Sequence, residues 1–125
     1  MFKTIVFIIL LSVSSNLYSA PELVVYHGDV LIHNMENNAL SRTEVDRIYF
    51  LYPTNSVISY ENARYVIIHR GYVIRSSTKT RITYLGTNEN ISRYSIDYGN
   101  VSVHITDDNM ELIFETPDGN VFVNH

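Results

Sequence analysis

The side chains able to do chemistry are His27, His33, His69, His104 and His125, with Asp97 and the pair Asp107-Asp108. A zinc or catalytic site needs such groups at spacings that bring several to one point, as His-x-x-x-His or paired Cys do. His27 and His33 are an even number of residues apart, but Gly28 lies between them and a turn there would separate them. The chain has no Cys, no Gly-x-Ser-x-Gly nucleophile elbow and no Gly-rich phosphate loop. Asp97, Asp107 and Asp108 read as solvated turn residues before they read as a cation site. The expectation is a protein that is not an enzyme and that uses neither metal nor cofactor.

Two further patterns carry possible chemistry. Asn90-Ile91-Ser92 and Asn100-Val101-Ser102 match the N-glycosylation acceptor, a triplet that an Asn-rich chain also produces by chance. The ten Tyr residues could form an adhesive or inhibitory surface, or could pack their rings and leave the hydroxyls wet.

The elements that must position these residues are strands. In Arg81 to Ile105, Val101, Val103 and Ile105 fall on one face and Ser102, His104 and Thr106 on the other, because side chains along a strand alternate with period two. A Gly step leads into this run at Gly99-Asn100-Val101 and returns at Gly28-Asp29-Val30, Gly71-Tyr72-Val73 and Gly119-Asn120-Val121. Arg47-Ile48-Tyr49-Phe50-Leu51 superposes on Arg81-Ile82-Thr83-Tyr84-Leu85 at an offset of 34 residues (81 − 47), which predicts an internal repeat. Met110 to Phe114, the turn Thr116-Pro117-Asp118-Gly119 and Asn120 to Asn124 read as a shortened third copy.

Further strands are expected as a hairpin-like pair over Glu22 to His33, broken at His27-Gly28, and over Ser56 to Tyr60, Tyr65 to His69 and Tyr72 to Arg75; Asn34 to Ser41 reads as a loop, with a short helix around Asn38 to Val45 as the alternative. The chain therefore reads as all-β, about ten short antiparallel strands stacked along one axis. Its common interior is expected to be lined by Val30, Ile32, Ile48, Phe50, Val66, Ile68, Ile82, Tyr84, Val101, Val103, Ile105, Leu112, Phe114, Val121 and Val123. That interior is either the filled core of a closed sandwich or a sheet pair that opens along one seam to take in an apolar ligand.

Length and composition set the frame. With 125 residues and 46% apolar residues there is material for one domain and one modest core. Met1-Phe2-Lys3, the apolar run Ile5 to Leu11 and the small polar stretch Ser12 to Ala20 read as a secretory signal peptide over residues 1–19, leaving a domain over 20–125. Its removal takes one of nine basic residues, Lys3, and leaves eight against thirteen acidic, a net charge of −5 with His neutral. Phosphate binding needs clustered positive charge, so nucleic acid is not expected as a partner. A small secreted domain without disulfides must hold together by sheet pairing and burial.

The Gly-Asp/Asn-Val steps at Gly28, Gly99 and Gly119, with the strands Asp46-Arg47-Ile48-Tyr49-Phe50 and Arg81-Ile82-Thr83-Tyr84, resemble the OstA-like, LptA-type periplasmic proteins of lipopolysaccharide transport. Gly71-Tyr72-Val73 departs from the pattern, with Tyr where the others carry Asp or Asn. The resemblance implies an antiparallel β-jellyroll, V-shaped in section, in the periplasm. It also implies a partner in lipopolysaccharide or another acylated lipid, whose chains are shielded on the way between the inner and outer membranes. Homo-oligomers or OstA-like partner domains would join by edge-strand addition, near Leu23 to Val25 at one end and Val121 to Val123 at the other. In an open groove Ile48, Phe50, Ile68, Ile82, Tyr84, Val101 and Val103 would contact the acyl chains. The alternative is a small secreted β-sandwich binding module, such as an enzyme inhibitor or an envelope interaction protein.

Overall fold

The structure is a computed structural model that describes residues 20–124. Residues 1–19, expected from the sequence to be a signal peptide, and His125 lie outside the described residues. Twelve strands run β1 (Glu22–His27), β2 (Val30–Asn34), β3 (Ala39–Arg42), β4 (Ile48–Phe50), β5 (Asn55–Ser59), β6 (Arg64–His69), β7 (Tyr72–Ser76), β8 (Thr80–Asn88), β9 (Ile91–Tyr98), β10 (Val101–Ile105), β11 (Glu111–Thr116) and β12 (Gly119–Asn124). They form two sheets, one of five strands in the order β10-β7-β6-β1-β4 and one of seven in the order β12-β11-β9-β8-β5-β2-β3. The fold is an all-β sandwich of the jellyroll kind, with no helix among the described residues.

Alternation explains how the sandwich closes. Leu23 and Val25 of β1, Tyr65 and Ile67 of β6, and Tyr72 and Ile74 of β7 are fully buried from the five-stranded side. Val57, Ile82, Tyr84, Tyr94, Leu112 and Phe114 meet them from the seven-stranded side. Burying one such aliphatic side chain is worth about 1.5–3 kcal/mol, so a one-residue slip that turned a strand over would forfeit several at once. Two of the passages between the sheets, β1 to β2 and β9 to β10, are made at Gly28 (φ 81°) and Gly99 (φ 94°). A Cβ on Gly28 would lie 2.7 Å from the Ala63 Cα, and one on Gly99 would lie 2.6 Å from the Lys79 carbonyl oxygen. Both crossings need glycine, for its left-handed backbone and for its missing side chain.

Buried hydroxyls pair across the interior of the sandwich. The Ser59 and Thr80 hydroxyls are 2.9 Å apart and the Tyr65 hydroxyl reaches Thr80 at 2.7 Å, tying the two sheets together. A second tie joins the hydroxyls of Tyr72 in β7 and Tyr94 in β9, 2.7 Å apart. Ring packing continues from Tyr94 to Tyr84, centroids 5.2 Å apart, and to Phe114, stacked at 5.8 Å. Burial pushes the hydroxyls of Tyr65 and Tyr72 up to about 12 and that of Tyr94 well above its ordinary range.

Five sequence expectations are corrected. Residues 39–42 form β3, paired with β2, and are neither loop nor helix; Ala39 to Arg42 is exposed throughout and makes no apolar stripe that a helix could bury. β1 and β2 are not a hairpin, since the Gly28 crossing sends them to different sheets. The 34-residue repeat is not a structural one, because β4 is a three-residue edge of the five-stranded sheet and β8 a nine-residue interior strand of the other. β9 and β11 pair in parallel, not antiparallel, because β10 crosses to the opposite sheet between them. Leu23 to Val25 is not an edge, being flanked by β4 and β6.

Candidate functional site

The two sheets are unequal, and the inequality makes the site. β9 connects to β10 across the sandwich at Gly99, so β10 is the last strand of the five-stranded sheet, while β11 and β12 extend the other sheet past β9. At this end the inner faces are not fully covered, and a cleft of about 490 Å³ opens between β10 on one side and β11 and β12 on the other. Its apolar lining is Ile96, Val101, Val103, Phe114, Val121 and Val123. Phe114 is the floor, buried and backed by the stacked ring of Tyr94. Val121 stands beside Phe114 and Val123 beside Leu112, in register across the β11–β12 hairpin.

The rim is polar. Asp97, Tyr98, Asn100, Thr116 and Asp118 edge the opening, and the Asp97 carboxylate is 3.3 Å from the Arg81 guanidinium. The Thr116 hydroxyl donates to the Gly119 carbonyl at 2.6 Å and accepts from the Asp118 amide at 3.3 Å, which shapes the turn closing one end. A volume of this size with apolar walls and a few polar groups at the mouth suits an elongated apolar ligand held by surface area.

The seven residues expected to meet a ligand divide three ways. Val101 and Val103 line the cleft. Ile82 and Tyr84 lie in the closed core, further along the same interior. Ile48, Phe50 and Ile68 face the other way, which corrects the expectation that they line the interior: they are 59%, 46% and 39% exposed. Tyr49, Leu51 and Ile67 point inward in their place. The three nevertheless form one surface on the outer face of the five-stranded sheet, joined through Val24, which lies opposite both Ile48 and Val66, and through Glu22, opposite both Phe50 and Ile68. Val73, opposite Ile68, continues it.

Ile96 went unread in the sequence, although Tyr94, Ile96 and Tyr98 alternate in a way that puts it on the same face as Tyr94. The histidines are dispersed. His27 Nδ1 bonds the Asn62 carbonyl at 2.6 Å and His33 Nε2 the Asn38 side chain at 2.7 Å. His69 packs on Tyr72, ring centroids 5.1 Å apart, and His104 is exposed on β10. Among the described residues no group of three His, Cys, Asp or Glu side chains could hold a metal ion, and no helix is long and apolar enough to cross a membrane.

Comparison with protein-family models found no matching family, and comparison with curated proteins and with solved structures found no match. What the chain binds must be argued from its own geometry.

Proposed function

We propose that the protein is a periplasmic binding and transport component for an acylated lipid, taking one acyl chain into the cleft between β10 and β12 and shielding it from water. Lipopolysaccharide is the ligand that the sequence resemblance implies. The observation that carries the reading is the one-sided opening of the sandwich, where Ile96, Val101, Val103, Phe114, Val121 and Val123 offer an apolar wall next to a polar rim. Affinity comes from apolar area, at roughly 25 cal/mol per Å² removed from water, and no polar residue is indispensable. The cleft lining holds two carboxylates, Asp97 and Asp118, and no Lys or Arg, so the acyl chain, not an anionic headgroup, supplies the binding energy.

Displacement of a fluorescent fatty acid by lipopolysaccharide, by a phospholipid and by detergent tests this. Val103→Asp should abolish probe binding by placing a charge in the apolar wall, while Phe50→Asp should leave it unchanged. Probe binding that ignores Val103→Asp rules the cleft out.

A second reading, the secreted binding module, is favoured by the outer face of the five-stranded sheet. Ile48, Phe50 and Ile68, flanked by Val24, Val66 and Val73, make an exposed apolar stripe of the kind that marks protein contact sites. Loss of target inhibition or capture in Phe50→Asp, with lipid binding untouched, would favour this reading over the first.

A further inference from the structure

The strand that ends the seven-stranded sheet is a palindrome. β12 contains Asn120-Val121-Phe122-Val123-Asn124, which reads the same in both directions about Phe122. From this we infer that β12 pairs antiparallel with β12 of a second copy about a two-fold axis at Phe122, giving a closed homodimer in which each subunit completes the cleft of the other.

The backbone sets the register. The Glu111 amide donates to the Asn90 carbonyl at 2.9 Å on the β9 side. Backbone groups along a strand point alternately to its two sides, so those of Ile113 and Glu115 also face β9, and those of Leu112, Phe114 and Thr116 face β12. Their partners in β12 are Val123, Val121 and Gly119. The amides and carbonyls of Asn120, Phe122 and Asn124 therefore point to the open side, where no further strand lies among the described residues.

An antiparallel pairing centred on Phe122 uses all of these groups. It sets Phe122 against Phe122 of the partner subunit and Asn120 against Asn124 of the partner subunit as hydrogen-bonded pairs. Val121 then meets Val123 of the partner subunit as a non-hydrogen-bonded pair. Every cross-strand pair is like with like, and such apolar and aromatic pairs stabilise a sheet.

Two features mark this edge as one that takes a partner strand, and the palindrome makes a second copy the partner. Free edges are commonly blunted by Lys, Pro, other charges or short length. Of the four edge strands β3 carries Arg42, β4 has three residues and β10 five, whereas β12 has six and no Lys, Pro or charge. Between its exposed end residues Asn120 and Asn124 it also exposes two apolar side chains, Phe122 at 70% and Val121 at 50%. The pairing covers them and sets Val121 and Val123, which line the cleft, against Val123 and Val121 of the partner subunit. The two clefts then meet at the axis as one apolar trough. The pairing stands whether or not the trough takes a lipid.

The test uses the full chain, purified as expressing cells deliver it, in sedimentation velocity from micromolar to near-millimolar concentration. The wild type should pass from monomer to dimer, and Phe122→Lys, which sets two like charges at the axis, should stay monomeric with an unchanged circular dichroism spectrum. Because the chain has no Cys, single-cysteine variants report the register. Val121→Cys mixed with Val123→Cys should form a disulfide-linked dimer under mild oxidation, and neither variant should do so alone, since like positions lie on a diagonal too long for a disulfide. A monomer at every concentration, a dimer that survives Phe122→Lys, or cross-linking of either cysteine variant with itself would overturn the inference.

Discussion

The hydroxyl of Tyr72, on the five-stranded sheet, and that of Tyr94, on the seven-stranded sheet, meet at 2.7 Å in the middle of the sandwich, and Tyr94 in turn stacks on Phe114, the floor of the cleft. The cleft is thus supported from below by a rigid, fully buried aromatic pair. Tyr94→Phe should leave the Tyr72 hydroxyl short of a partner and cost about 1–3 kcal/mol in urea denaturation. The Tyr72→Phe, Tyr94→Phe double variant should lose less than the sum of the two single changes, because it removes both polar groups together. Additive losses would show that the two hydroxyls are not energetically coupled.

Alkaline pH should destabilise the fold through the same tyrosines. Burial raises the folded-state values of Tyr65 and Tyr72 to about 12 from an ordinary 10.0. Below pH 10 both folded and unfolded chains hold these protons and stability is at its full value. Between 10 and about 12 the unfolded chain loses protons that the folded chain keeps, so stability falls as pH rises. Thermal melts from pH 8 to 11 should show a falling midpoint above pH 10, less steep in Tyr65→Phe.

Gly99→Ala should be strongly destabilising. The new Cβ meets the Lys79 carbonyl oxygen at 2.6 Å at a φ of 94°, so the loss should exceed the roughly 1 kcal/mol that a left-handed backbone alone costs a non-glycine residue. Denaturant titration decides it. A variant as stable as the wild type would mean that the crossing into β10 is looser than the structure shows.

The inward and outward faces of β4 and β6 can be separated by substitution. Ile48→Ser and Ile68→Ser should change stability by no more than about 0.5 kcal/mol, whereas Leu51→Ala and Ile67→Ala should each cost about 2–5 kcal/mol. Chemical denaturation of the four variants distinguishes this from the opposite facing.

That facing was the part of the fold least legible in the sequence. Val101, Val103 and Ile105 alternate with Ser102 and His104, so their face could be read directly. Ile48-Tyr49-Phe50-Leu51 and Tyr65-Val66-Ile67-Ile68 are apolar at every position, and period two then defines two faces without saying which is inside. Tertiary pairing decides it: the Leu51 amide bonds the Pro21 carbonyl at 2.8 Å and β4 takes its register from β1. The cleft was half legible. Val101 and Val103 were identified, but their position at an open seam follows from the β10 crossing and the parallel β9–β11 pairing, which local periodicity does not encode.

The central claim, that the seam between β10 and β12 takes an acyl chain, is tested most directly by site-specific photo-crosslinking in cells that make lipopolysaccharide. The probe is placed in turn at Val103, in the cleft, at His104, its neighbour on the opposite face of β10, and at Phe50, on the outer face of the five-stranded sheet. Lipid adducts at Val103 and none at His104 or Phe50 are the predicted result. Adducts at Phe50 or His104 with none at Val103, or no lipid adduct at any of the three, would contradict it.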